Sequence, residues 1–142
     1  MKHISILVPQ AVILGSLEGP RLVLSEVNAL LIRMGKPALF DVHLVGLTEE
    51  TPVNNGMYKI KADLLTKDVE KTDLIIIPAL DGDMMKNLES NSEFVPWIIK
   101  QYKAGAEVAS LCVGAFLLAS TGLINGKKVA THWMAANDFR RM

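Results

Sequence analysis

Two segments constrain the fold of this chain more than any others. Residues 4–8 (Ile-Ser-Ile-Leu-Val) and 74–77 (Leu-Ile-Ile-Ile) are short, nearly continuous apolar runs rich in β-branched side chains, and each is closed by a proline, Pro9 and Pro78. A strand with one wet face alternates polar and apolar residues. A run without alternation suits a strand buried on both faces, as in a parallel sheet covered by helices. Residues 40–45 and 108–111 read as two further strands, and 57–60 as a short one. Between them, Val23, Val27, Leu30, Leu31 and Met34 recur at helical spacing, and Phe94, Trp97, Ile98 and Tyr102 do the same. Pro20 and Gly35 bound the first helix at 20–34, with 10–19 as a loop. Ser92 is placed to cap the second, and Pro96 falls in its first turn. An apolar helix follows over 113–121, then a turn at Asn125-Gly126, a short strand over 128–131 and a helix from Trp133. Strands alternating with helices predict an α/β fold: a doubly wound parallel sheet with helices on both faces.

The 142 residues fit one domain, and an apolar share of 50% is enough for a packed core. Fifteen basic and fifteen acidic residues leave a net charge of zero. The basic pairs Lys127-Lys128 and Arg140-Arg141 read as solvated surface, far short of the basic face that nucleic-acid binding needs. One cysteine cannot form an intrachain disulfide, and the amino-terminal apolar run is too short for a signal peptide. No apolar stretch is long enough for a bilayer, so the expected location is the cytoplasm.

The chemistry concentrates at that cysteine. In Ser110-Leu111-Cys112-Val113-Gly114, a strand runs straight into a helix, with small residues two before and two after Cys112. A nucleophile elbow has this pattern, because a sharp turn brings the flanking backbone close. The start of a helix offers N–H groups and the positive end of its dipole, which favour a thiolate and can hold an oxyanion. The other reading of a lone cysteine is a buried structural residue. His132, 20 residues later, follows the next expected strand and can emerge at the same sheet edge to orient the thiol. It can equally be a cap or a solvated histidine. Glu18 opens the first expected helix, where it can share a proton with the thiol or complement the helix dipole. His3 and His43 sit in strand-like runs without such a context, and Asp81 and Asp83 read as turn residues. No metal-ligand cluster, phosphate-binding loop or dinucleotide fingerprint stands out, so no metal or cofactor is expected.

The segments 110–119 (Ser-Leu-Cys-Val-Gly-Ala-Phe-Leu-Leu-Ala) and 122–133 (Gly-Leu-Ile-Asn-Gly-Lys-Lys-Val-Ala-Thr-His-Trp), with Ser16-Leu17-Glu18-Gly19-Pro20, resemble the DJ-1/PfpI branch of the class I glutamine amidotransferase-like superfamily. Within it, the chain is most similar to the amino-terminal domain of AraC-type transcription regulators. The resemblance implies a flavodoxin-like fold that is commonly dimeric. It implies Cys112 as the elbow nucleophile position, His132 as its neighbour and Glu18 as the acidic partner. Val113, Gly114, Gly19 and Leu80 complete the expected small-molecule site. Isonitrile hydratases of this group carry an acid earlier in the first loop, near Ser16, and a threonine where this chain has Val113.

Three functions follow as expectations. The first is a ligand-sensing and dimerisation domain, with DNA contacted only through a helix-turn-helix module outside this chain. The second is a cysteine-dependent hydrolase, hydratase or glyoxalase-like enzyme. The third is a redox sensor in which Cys112 is oxidised. The last helix has no returning strand before Met142, so the chain reads as the truncated amino-terminal part of a regulator.

Overall fold

The computed structural model describes residues 1–142. The strands β1 (Lys2–Val8), β2 (Phe40–Gly46), β5 (Leu64–Leu65), β6 (Leu74–Ile77) and β7 (Glu107–Ser110) form one parallel sheet in the order β5-β2-β1-β6-β7. Between β2 and β5 the chain makes an antiparallel hairpin of β3 (Glu50–Val53) and β4 (Tyr58–Lys61), turning at Asn54-Asn55-Gly56, all with positive φ. The continuous apolar runs lie where the sequence places them, in the central strands β1 and β6.

Side chains alternate across the sheet and build two separate cores. Ile4, Ile6, Val8 and Ile76 face helix α1 (Leu14–Arg33), which buries Leu17 against them. Leu7, Val45, Ile75 and Ile77 face the other way. They pack with Phe94, Trp97 and Ile98 of α3 (Phe94–Lys103) and with Leu117 and Leu118 of α4 (Ala115–Ala119). Helix α2 (Met84–Ser90) precedes α3, and α5 (Ala136–Arg140) closes the chain. A parallel sheet with helices on both faces is what the sequence predicts.

Four local expectations are corrected. Helix α1 begins at Leu14, not at Pro20. Its first turn is anchored by tertiary contacts: Ile13 N–H donates to the Ala79 carbonyl at 2.9 Å, and Leu17 is fully buried. These contacts outweigh the cost of Pro20 inside the helix, where the ring crowds the preceding turn. Residues 128–131 form no strand; β7 is the sheet's edge, and this segment joins no ladder. Ser92 does not cap α3 through its side chain; Glu93 occupies the cap position, and the Asn91 carbonyl accepts from Phe94 N–H. The helix expected over 113–121 opens as a tight 3₁₀ turn, Cys112–Gly114, before α4.

Candidate functional site

The chain leaves β1 on one side for α1 and β2, and later returns to the other side as β6. The carboxyl ends of β1 and β6 therefore flank the point where strand order reverses, which is where open α/β sheets bind ligands. Their exit loops are stitched together there. Val12 and Leu80 form an antiparallel bridge, Asp81 N–H donates to the Ala11 carbonyl at 2.8 Å, and Ser16 Oγ accepts from Ala79 N–H at 2.8 Å. From below, the carboxamide of the fully buried Asn91 clamps the main chain of Gln10. Its Oδ1 accepts from Gln10 N–H at 2.7 Å, and its Nδ2 donates to the Gln10 carbonyl at 3.1 Å. Asn87 Nδ2 fixes the Asp81 carbonyl at 2.6 Å. Asp81 is a turn residue, as expected, whereas Asp83 caps α2 by accepting from Lys86 N–H, a role the sequence reading did not assign.

The elbow lies next to this platform, at the end of β7. Leu111 N–H donates to the Ile77 carbonyl at 2.9 Å, and the chain then reverses with φ = +52° at Cys112. That left-handed conformation costs a non-glycine residue about 1–2 kcal/mol, and such strain clusters at functional sites. Gly114 fits under the turn because it has no side chain: a Cβ there would lie 2.4 Å from the Pro78 carbonyl oxygen. The thiol itself is exposed, so the alternative of a buried structural cysteine fails. Val113 is half-buried against the α3-side core.

The other expected residues divide into those brought to the elbow and those kept from it. Thr131 Oγ1 donates to the Cys112 carbonyl at 3.2 Å and brings the segment carrying His132 alongside the turn. The His132 ring is used locally. Its Nδ1 accepts from Met134 N–H at 3.3 Å, capping the following 3₁₀ turn, and the ring stacks on Trp133. Glu18 lies on α1 and forms a two-pronged pair with Arg21, both contacts 2.6 Å. The Arg21 guanidinium, mainly through its hydrogen bonds, holds the Glu18 carboxyl below its ordinary range. The carboxylate has its proton donors on its own helix rather than at the thiol. Gly19 is exposed on the same helix. Leu80 is only 2% exposed and belongs to the α3-side core, so its side chain cannot line an open site. Ser16, Asn91 and Thr131 position the edge, and the residue-type patterns did not single out the latter two. Their role depends on contacts across 63, 81 and 19 residues.

Chemically, the arrangement offers an exposed cysteine on a strained turn, with His132 one residue beyond the Thr131 contact and its Nδ1 engaged in a cap. It can contact, trap or be modified by a small molecule. The Cys112 thiol has no hydrogen bond to His132, whose Nδ1 serves the cap, so turnover needs a base to come within hydrogen-bond reach of the thiol.

Comparison with known proteins fits this architecture. The fold matches a protein from Vibrio parahaemolyticus assigned as a transcriptional regulator, with TM-score 0.77 and 20% identity, over 99% of this chain and 72% of that one. It matches an AraC family transcriptional regulator from Pseudomonas putida with TM-score 0.73 and 12% identity, over the same shares. It matches oxidized DJ-1 from Toxoplasma gondii with TM-score 0.66 and 21% identity, over 96% and 70%. Among curated proteins, isonitrile hydratase of Pseudomonas putida is 27% identical over 92 residues. That stretch is 65% of this chain and only 40% of the length of the enzyme. The model of the DJ-1/PfpI family matches residues 19–141, which takes in the elbow and both layers of helices, and the chain belongs to the DJ-1/PfpI family.

Proposed function

We propose that this domain is the ligand-sensing and dimerisation part of an AraC-type transcription regulator, with its small-molecule site at the Cys112 elbow. The observation that carries the reading is the state of the three expected catalytic residues. Cys112 is exposed, while Glu18 is held by Arg21 and His132 by its own cap. That arrangement suits binding better than proton transfer. The likeness in fold to two regulators supports it. DNA contact would fall to a helix-turn-helix module outside these residues, in keeping with a net charge of zero. A cytoplasmic setting goes with the same reading; no helix is long and apolar enough to cross a membrane.

Dimerisation is supported by α1. Leu22, Val23 and Leu30 are 50%, 62% and 52% exposed and, with Val27, line one shallow apolar groove. Apolar patches of this kind mark association surfaces. Val23→Glu with Leu30→Glu should turn a dimer into a monomer by light scattering.

The test of the main reading uses the full-length polypeptide. Amide, isonitrile and dicarbonyl compounds are screened by thermal shift and by turnover. A ligand that raises the melting temperature, alters DNA binding and is not consumed supports the sensor. Turnover abolished by Cys112→Ser overturns it in favour of the enzyme. The partial likeness to isonitrile hydratase favours that second reading. Oxidation of Cys112 by mild peroxide, read by mass spectrometry and coupled to a change in DNA binding, would favour a redox sensor.

A further inference from the structure

The opposite end of the sheet carries a second cluster of polar, titratable side chains. β1 and β2 run parallel and in register, with His3 beside Asp41 and Ser5 beside His43. Asp41 and His43 are two residues apart on one strand, so they project from the same face as His3. Donor atoms of His3, Asp41 and His43 all lie within 4.8 Å of one another, and all three residues are half-buried. The two imidazoles stack with centroids 4.9 Å apart, and His43 Nε2 lies 2.9 Å from Asp41 Oδ1.

The surroundings fix one ring. His3 Nδ1 lies 3.1 Å from the hydroxyl of buried Thr72. That hydroxyl has one proton, with the carbonyls of His3 and Leu74 at 3.1 and 3.2 Å to receive it, and it already accepts from Ser5 Oγ at 3.0 Å. Two carbonyls compete for that proton, an arrangement that favours His3 Nδ1–H donating to the hydroxyl and the lone pair lying on Nε2. A metal-binding histidine is held this way, its second nitrogen donating to an oxygen that orients the ring.

The geometry points to a divalent transition-metal site of the zinc class formed by His3, Asp41 and His43, two imidazole nitrogens and one carboxylate oxygen. Ligands at about 2.0–2.1 Å from a tetrahedral zinc stand about 3.3 Å apart. Side-chain rotations on two rigid strands, with His43 moving off Asp41, can bring the donors to that spacing. Three protein ligands leave a coordination position open to water or an exogenous donor.

The test titrates tag-free protein with Zn²⁺ by calorimetry and with Co²⁺ by absorption. The expected result is one ion per chain, with no thiolate-to-cobalt band. His43→Gln and Asp41→Asn, both at half-exposed positions, should each weaken binding at least about tenfold with the circular dichroism unchanged. Thr72→Val should weaken it by about 10- to 100-fold through loss of ring orientation. Cys112→Ser and His132→Ala should leave it unaltered. Absence of saturable binding overturns the site. So does affinity unchanged in both ligand variants, or affinity lost in Cys112→Ser, which would assign the metal to the elbow.

Discussion

The α-carbon of Gly114 lies so close to the carbonyl of Pro78 that a Cβ would sit 2.4 Å from its oxygen and 2.8 Å from that of Ile77. Both neighbours are main chain at the end of β6, so neither can turn aside. Gly114→Ala should therefore cost about 3 kcal/mol, at the upper end of overpacking effects, although its φ of −57° suits any residue. Chemical denaturation of the variant checks this. A loss below about 0.5 kcal/mol would mean that the elbow can move away from β6.

Cys112 is strained at φ = +52°. Glycine and asparagine tolerate that region, whereas a β-branched side chain does not. Cys112→Gly and Cys112→Asn should melt at or above the parent, and Cys112→Val should lose roughly 1 kcal/mol or more. The ordering, read by thermal melts, reports the backbone strain separately from any chemistry of the thiol.

Asn91 is buried and makes three hydrogen bonds, two to Gln10 and one to the Asn87 carbonyl at 2.8 Å. Asn91→Ala leaves the part-buried Gln10 N–H and carbonyl unpaired and should cost about 1–3 kcal/mol. Because the clamp holds the β1 exit loop, hydrogen exchange should quicken at Gln10–Val12 before the β1 core responds. Uniform acceleration through β1 would count against a local positioning role.

Glu18 and Arg21 give a pH signature. The Glu18 carboxyl is lowered in the folded chain, first by hydrogen bonding from Arg21. A depressed carboxyl contributes stability above its unfolded value of about 4.5 and loses it as pH falls through the folded value. The pair is nearly half exposed, so the contribution at neutral pH should stay below about 1 kcal/mol. Glu18→Gln should therefore be slightly less stable than the parent at neutral pH and equal to it in strong acid. A carbon NMR titration of Glu18 should show a midpoint below 4.5. A midpoint above it would mean that the carboxyl shares a proton with another group, as the sequence-based reading of an acidic partner requires.

The sheet and its two helical layers were legible in the sequence because burial on both faces leaves a local imprint. Residues 4–8 and 74–77 read as buried strands and lie in the central strands β1 and β6, and the Cys112 elbow was marked by its own small neighbours, Ser110 and Gly114. The start of α1 was not legible. Pro20 is the strongest local signal for a helix start, and only the docking of Ile13 on Ala79 and the burial of Leu17 move that start six residues earlier. The strand expected over 128–131 failed for the complementary reason. Val129 and Thr131 have strand propensity, but a strand exists only when a neighbour completes its hydrogen bonds.

The sites divide along the same line. Sequence by itself determined that the chain is a parallel α/β domain with one thiol at a sharp strand-to-helix turn, since period, turn chemistry and burial preference are all local properties. Tertiary structure alone decided what surrounds that thiol. It turned Leu80 into the core, left His132 in a cap and set Asn91 beneath Gln10. It also decided that His3 stands beside Asp41, because the register of two strands 38 residues apart depends on how both fit the same helices and not on either strand's own residues.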